Sequence, residues 1–234
     1  MNPLFTILLV LLVPLAFVAG LMTVEVFKNG NPDARLNHLW YVTPEQANEI
    51  AVGAGCAEIF QSNGFVFESA HKFGMVVVYS WRQTTPSDVT RWFSIQHTPQ
   101  MHCIDITTGF DAEGTCSLTT ANAKVAFTFP RQPGAFMQSI LFRPFFEVWQ
   151  RHLEAEAYLR GHFNLPISRS TVSWRDDNLR AIKAQMAYIR SLPLWFLRGP
   201  WWYFVTRNLR NNVSIEEQHR RGWLPKAGAL MRLA

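Results

Sequence analysis

The chain has 234 residues, 48% of them hydrophobic and 14% aromatic, which excludes a disordered or low-complexity protein. Its three cysteines, Cys56, Cys103 and Cys116, show no C-x-x-C spacing, which excludes a disulfide framework and suits a reducing compartment. The formal charge of +5 is unevenly spread, −4 through Phe129 and +9 from Pro130 onward, so the second half suits anionic lipid head groups first, or the acidic face of a partner or nucleic acid.

The first element is Leu4 to Val24, an apolar run of 21 residues without a charge. About 20 apolar residues at 1.5 Å rise cross a hydrocarbon layer of roughly 30 Å, and a lone Pro14 is tolerated there, so the run predicts a single transmembrane helix. A cleaved signal peptide would need a basic start, a shorter apolar core and an A-x-A-like site. Here no Lys or Arg precedes the run, and Val18-Ala19-Gly20 matches poorly. Lys28 and Arg35 follow the span, which places the C-terminal bulk on the cytoplasmic side of a cell inner membrane. On that side Asn212-Val213-Ser214 is a sequon only by chance.

Glu25 to His38 reads as a linker, with turn chemistry at Asn29-Gly30-Asn31-Pro32-Asp33. Thr43-Pro44-Glu45-Gln46 then announces a helix: Thr43 as N-cap, Pro44 in the first turn, Gln46 completing a capping box. That helix is expected to run to about Ser62 and stop at Asn63-Gly64, with Ala47, Ile50, Ala51, Ala54 and Ala57 on its packing side. From Phe65 the apolar period shortens to two, predicting strands at about Phe65–His71, Met75–Arg82, Thr90–Thr98, His102–Thr108 and Cys116–Phe127. Links this short join only antiparallel neighbours, so the expectation is a five-stranded antiparallel meander covered by helices. Asn122, followed by Ala123-Lys124, suggests a bulge or an edge in the last strand.

The capped helix, Gly64-Phe65 leading into a strand, the run Thr107 to Asn122 and a later helix holding Trp149 and His152 together resemble a class of uncharacterised bacterial proteins. Its hallmark is a hairpin of the form T-x-F-x-x-G-x-x-L-x-T-T-N. The resemblance covers roughly Thr43 to Leu159, with one additional residue before Phe110. It implies a shape and brings no activity.

Pro130 to Gly134 is expected to end the sheet. A helix follows, with Phe136, Ile140, Leu141, Phe145, Trp149, Leu153 and Ala157 as its apolar stripe, a kink at Pro144 and a stop at Gly161. His152, Glu156 and Arg160 recur every four residues, the pattern of a solvated row of paired charges. Asp176 and Asp177 open another helix with apolar Leu179, Ile182, Met186 and Ile189. Leu192 to Val205 then gathers Trp195, Phe196, Trp201, Trp202, Tyr203 and Phe204 around Arg198-Gly199-Pro200. Too short and broken to span, this block has the composition of a membrane-interfacial segment. Arg207, Arg210, Arg220, Arg221, Lys226 and Arg232 trail behind it as a basic contact surface. These aromatics form one nearly uncharged block instead of alternating with cations, which argues against nucleic acid.

The resulting organisation is a transmembrane anchor (1–24), a linker (25–38), an α+β domain (39–165) and a basic, aromatic amphipathic appendage (166–234). No nucleophile elbow, metalloprotease helix, phosphate loop or dinucleotide fingerprint is present, and no cofactor is implied. His97, His102 and Cys103 are close in sequence, but His102 and Cys103 on one strand face opposite ways. The function expected is that of a noncatalytic accessory or assembly subunit docked on an integral membrane protein partner and on anionic lipid. Two alternatives are a lipid or pigment carrier, and a membrane-bound enzyme using His97, His102 or Cys103.

Overall fold

The computed structural model describes residues 3–28, 38–73, 76–84, 90–98, 101–110, 116–123, 131–165 and 172–224. The expected turn at 29–33, the short links between strands at 85–88, 99–100 and 111–114, and the end of the fifth expected strand at 124–127, together with Arg35, Met75, Lys226 and Arg232, lie outside them.

Helix α1 spans Pro3–Lys28 with Pro14 inside it. Its 26 residues give a backbone about 39 Å long. Among the described residues no helix is long and apolar enough to cross a membrane. The span expected at Leu4–Val24 is thus not established by the fold. A two-residue strand β1 (His38–Leu39) precedes α2 (Pro44–Gly53). The capping box forms as expected: Gln46 N donates to Thr43 Oγ1 over 3.3 Å and Thr43 N donates to Gln46 Oε1 over 3.0 Å. The single helix expected to Ser62 is two. Gly55, at φ 72°, turns the chain after α2, and α3 (Ala57–Asn63) resumes at an angle before left-handed Gly64 stops it.

Strands β2 (Phe65–Phe73), β3 (Val76–Gln83), β4 (Arg91–Thr98), β5 (Met101–Gly109) and β6 (Ser117–Ala121) form the expected antiparallel meander. The sheet is nonetheless mixed, not purely antiparallel. A further strand, β7 (Ala135–Ser139), pairs parallel to β6, giving among the described residues six full strands plus β1 in sequential order. The helix expected from Phe136 starts only at Phe145, in α4 (Phe145–Phe163). Two physical reasons account for this: Pro144 disfavours helical backbone at Arg143, and Phe136, Gln138 and Ile140 also fit a period of two. Thirteen residues, 122–134, separate β6 from β7, as long as a parallel crossover demands.

The inner face of the sheet holds the main core. Phe65, Tyr79, Trp81, Phe93, Ile95, Ile104 and Ile106 pack against Ala47 and Ala51 of α2, Phe60 of α3, and Val148 and Trp149 of α4. Small alanines let α2 lie close to the sheet, and Phe60 stands edge-on to Phe93 with ring centroids 4.6 Å apart. Helix α5 (Trp174–Ser191), capped by Ser173, covers the outer face, where Trp174 and Leu179 meet Val78 and Trp92. Next, α6 (Trp195–Trp201), a π-helical turn (Trp202–Thr206) and α7 (Arg207–Leu209) run on as one helical stretch roughly 22 Å long. The π turn follows Pro200, which cannot donate to the preceding turn. Finally, α8 (Ile215–Arg220) packs against α4 and β7.

Candidate functional site

Under α4 the inner face changes from aromatic to polar. In the strand register Arg91 lies opposite Thr108, and Thr120 lies opposite both Ile106 and Gln138. These polar side chains point the same way as the core residues of their strands, beneath the helix face bearing His152 and Glu156. The expectation of a solvated row is overturned: His152 is 0% exposed and Glu156 3%, while Arg160, one turn on, is exposed. Four-residue spacing keeps side chains on one face, but it does not say whether that face meets water or a sheet.

The hydrogen bonds have one consistent direction. Arg91 donates to both Glu156 oxygens, each over 2.7 Å, and from Nη1 to Gln83 Oε1 over 2.6 Å. Gln83 Nε2 donates in turn to the Asn63 carbonyl, tying the chain to the end of α3. The Thr108 hydroxyl donates to Glu156 Oε2 over 2.8 Å, so its oxygen must accept from His152 Nε2–H at 2.9 Å. His152 Nδ1 is left as an acceptor, and Thr120 Oγ1 donates to it over 2.9 Å. Gln138 Nε2 donates to Thr120 Oγ1 over 3.0 Å and to the Arg151 carbonyl over 2.8 Å, and Gln138 Oε1 accepts from Ile215 N. One polar chain therefore links α3, five strands, α4 and the start of α8.

Its electrostatics follow from its closure. Burial, reinforced by Arg91, pushes the His152 imidazole down to about 3, against the opposing pull of Glu156. Burial alone would raise the Glu156 carboxyl, but the Arg91 fork and the Thr108 hydroxyl hold it below the usual carboxylate range. The chain thus holds one neutral imidazole and one largely buried ion pair. Its work is to fasten α4 to the sheet.

The other polar groups are more open. His97 and His102 face each other across β4 and β5 with Nδ1 atoms 3.2 Å apart, and burial, then His97, lowers the His102 imidazole. Cys103 points to the outer face as expected, beside Gln96, its thiol raised by burial. Among the described residues no group of three or more His, Cys, Asp or Glu side chains is placed to hold a metal ion. Gln96 donates to Asp105 over 2.6 Å, and burial pushes that carboxyl up to about 6 despite Arg131. A bulge between Phe67 and Ser69 turns Glu68 towards α5, where Oε1 accepts from Trp174 N. Asn122 ends β6, and its Oδ1 accepts from Ile104 N over 2.8 Å, extending the ladder by one side chain.

The aromatic block presents a run of exposed apolar side chains. Phe196, Leu197, Trp201, Phe204 and Leu209 are exposed, Trp201 by 63%, whereas Trp195, Trp202 and Tyr203 are half-buried. Gly199 and Pro200 are the buried residues of α6, which packs against α1. On α1 itself Val10, Leu12, Val13, Leu15, Phe17, Leu21 and Val24 are exposed. The two apolar segments, about 170 residues apart in sequence, thus meet in one place. Of the basic residues, Arg198 is exposed, Arg207 lies over Tyr203, and Arg210 and Arg221 flank Trp223. Arg220 and Arg221 also pair with Glu217.

Comparison of the chain with protein-family models, with curated proteins and with solved structures finds no match.

Proposed function

We propose that this chain is a noncatalytic, membrane-anchored accessory or assembly subunit. In this reading the uncharged run Leu4–Val24 of α1 anchors the chain in the membrane, and the helical stretch Trp195–Leu209 lies in the interface beside it. The observation that carries it is the packing of α1 on α6 with apolar side chains turned outward on both. Water does not favour such a pair, and a bilayer does. Both ends of the helical stretch return to the sheet domain, through Trp195 on Met186 and Ile189 of α5 and through Asn212 N on the Ser139 carbonyl. A segment tethered at both ends to one domain lies along the membrane surface. The domain then sits on the cytoplasmic face of the inner membrane, where Arg198, Arg207 and Arg210 meet anionic head groups. An integral membrane protein is the partner proposed for it.

The His152 chain is buried and paired within itself, so the enzyme alternative would rest on His97, His102 or Cys103. The carrier alternative requires an opening in the inner face of the sheet, and Phe60, Trp81, Phe93 and Trp149 occupy that face.

The test is extraction of native membranes in a mild detergent, followed by size separation and mass spectrometry. Co-migration with an integral membrane protein at a mass well above 26.9 kDa supports the subunit reading. Migration alone, at every detergent concentration tried, removes it.

A further inference from the structure

Among the described residues two bulky apolar ones are exposed in left-handed backbone, a conformation that side chains other than Gly, Asn and Asp rarely adopt. One is Leu194, at φ 52°, immediately before α6. The other is Phe142, at φ 59° and 93% exposed, in the turn between β7 and α4. They are far apart in sequence yet sit at the two ends of one element. Asn212, just past α7, donates from N to the Ser139 carbonyl over 2.7 Å and accepts at Oδ1 from Leu141 N over 2.6 Å. The Phe142 turn is thereby pinned beside the C-terminal end of the interfacial helix. Asn212 is itself left-handed at φ 58°, which the short polar side chain tolerates.

Surrounding structure holds Phe142 outward instead of letting it fold back, and an outlier of this kind points to a role for what it presents. Phe146, in the first turn of α4, is exposed next to it. Within the two segments themselves the charges are arginines. Segment 139–146 carries Arg143 and no carboxylate, and segment 192–214 carries Arg198, Arg207 and Arg210 and no carboxylate. Glu147, 3.8 Å from Arg143, is the first acid beyond the turn. Aromatic side chains flanked by arginines match the boundary between acyl chains and anionic head groups.

We propose that the Ile140–Phe146 turn is a second lipid-insertion element. Phe142 and Phe146 seat in the bilayer surface at the Leu209 end of the interfacial helix and Leu194 seats at its start, with Arg143 and Arg210 at head-group level. This rests on the membrane reading above and adds an orientation to it. Contact at both ends of the helix fixes the sheet domain against the membrane, so that the α4 and α8 side is held near the surface.

The experiment uses the full chain in nanodiscs of phosphatidylcholine and phosphatidylglycerol with no other protein, and a nitroxide label at one site at a time. Cys103 and Cys116 are replaced by Ser, and Cys56 is buried. Labels are placed at Phe142→Cys, at Phe146→Cys as a second reporter, at Phe204→Cys on the interfacial helix, and at Glu154→Cys on the exposed side of α4. Power saturation compares collision with oxygen, enriched in lipid, against a water-soluble nickel chelate. The expected result is a several-fold preference for oxygen at 142, 146 and 204 and for nickel at 154. Nickel preference at both 142 and 146 with oxygen preference at 204 overturns this proposal and leaves the membrane reading standing. Nickel preference at 204 as well overturns both.

Discussion

His152 and Thr108 share one hydrogen bond of 2.9 Å whose direction is set by a third residue, because the Thr108 hydroxyl is already committed to Glu156 at 2.8 Å. Thr108→Val keeps the shape and removes both bonds, leaving a buried imidazole N–H and a carboxylate oxygen each one partner short. A loss of about 2–4 kcal/mol is expected from the orphaned imidazole N–H together with a carboxylate oxygen left with Arg91 alone. Thr107→Val, whose hydroxyl meets only Thr119 on the half-buried outer face, should cost under about 1 kcal/mol. Unfolding midpoints of the two variants in detergent micelles check this; equal losses would show that the buried chain contributes nothing special.

Arg91 closes the same chain from the other side. Arg91→Met strands the Glu156 carboxylate beneath α4, and breaking a buried pair from one side costs roughly 3–5 kcal/mol. The double variant Arg91→Met, Glu156→Gln should recover part of that loss. A double-mutant cycle with no coupling would contradict the forked contact between Arg91 and Glu156.

The pH dependence has a definite sign. The unfolded chain protonates His152 near its ordinary 6.5 and the folded chain only at about 3, so this contribution is present above 6.5 and is lost as pH falls through that window. Glu156, held below the usual range when folded, adds in the same direction below about 4.5. Asp105 opposes them. Its folded value of about 6 lies above the unfolded 3.8, so its contribution is present below 3.8 and is lost as pH rises to 6. His152→Gln removes the largest of these effects. Its melting midpoint should fall less between pH 7 and pH 4.5 than that of the unaltered protein, and parallel slopes would count against a neutral, buried His152.

Much of the scaffold was legible because its signals are local. The Thr43–Gln46 box, Gly64 and the first four alternating runs each carry their own geometry within a few residues and lie close to where they were expected, whereas the fifth, expected at Cys116–Phe127, is a strand only over Ser117–Ala121 among the described residues. Strand β7 was not legible, since Phe136, Ile140 and Leu141 satisfy a helical stripe as well as a strand. Nor was the burial of His152, whose partners Thr108 and Thr120 lie 44 and 32 residues away. One available signal was Thr108, Thr120 and Gln138 in line with core-facing positions of their strands, because polar side chains there require buried partners. The meeting of α1 with α6 depends on tertiary packing, which no local pattern encodes.

Membrane attachment through α1 and the Trp195–Leu209 helix is tested most directly by alkaline carbonate extraction of native membranes. Carbonate strips proteins held only by charge and leaves those whose apolar surface is in the bilayer. The chain is predicted to stay in the pellet, with residues 1–24 present in its intact mass. Quantitative release into the supernatant, or a pelleted chain lacking those residues that is freed by salt alone, would contradict the account.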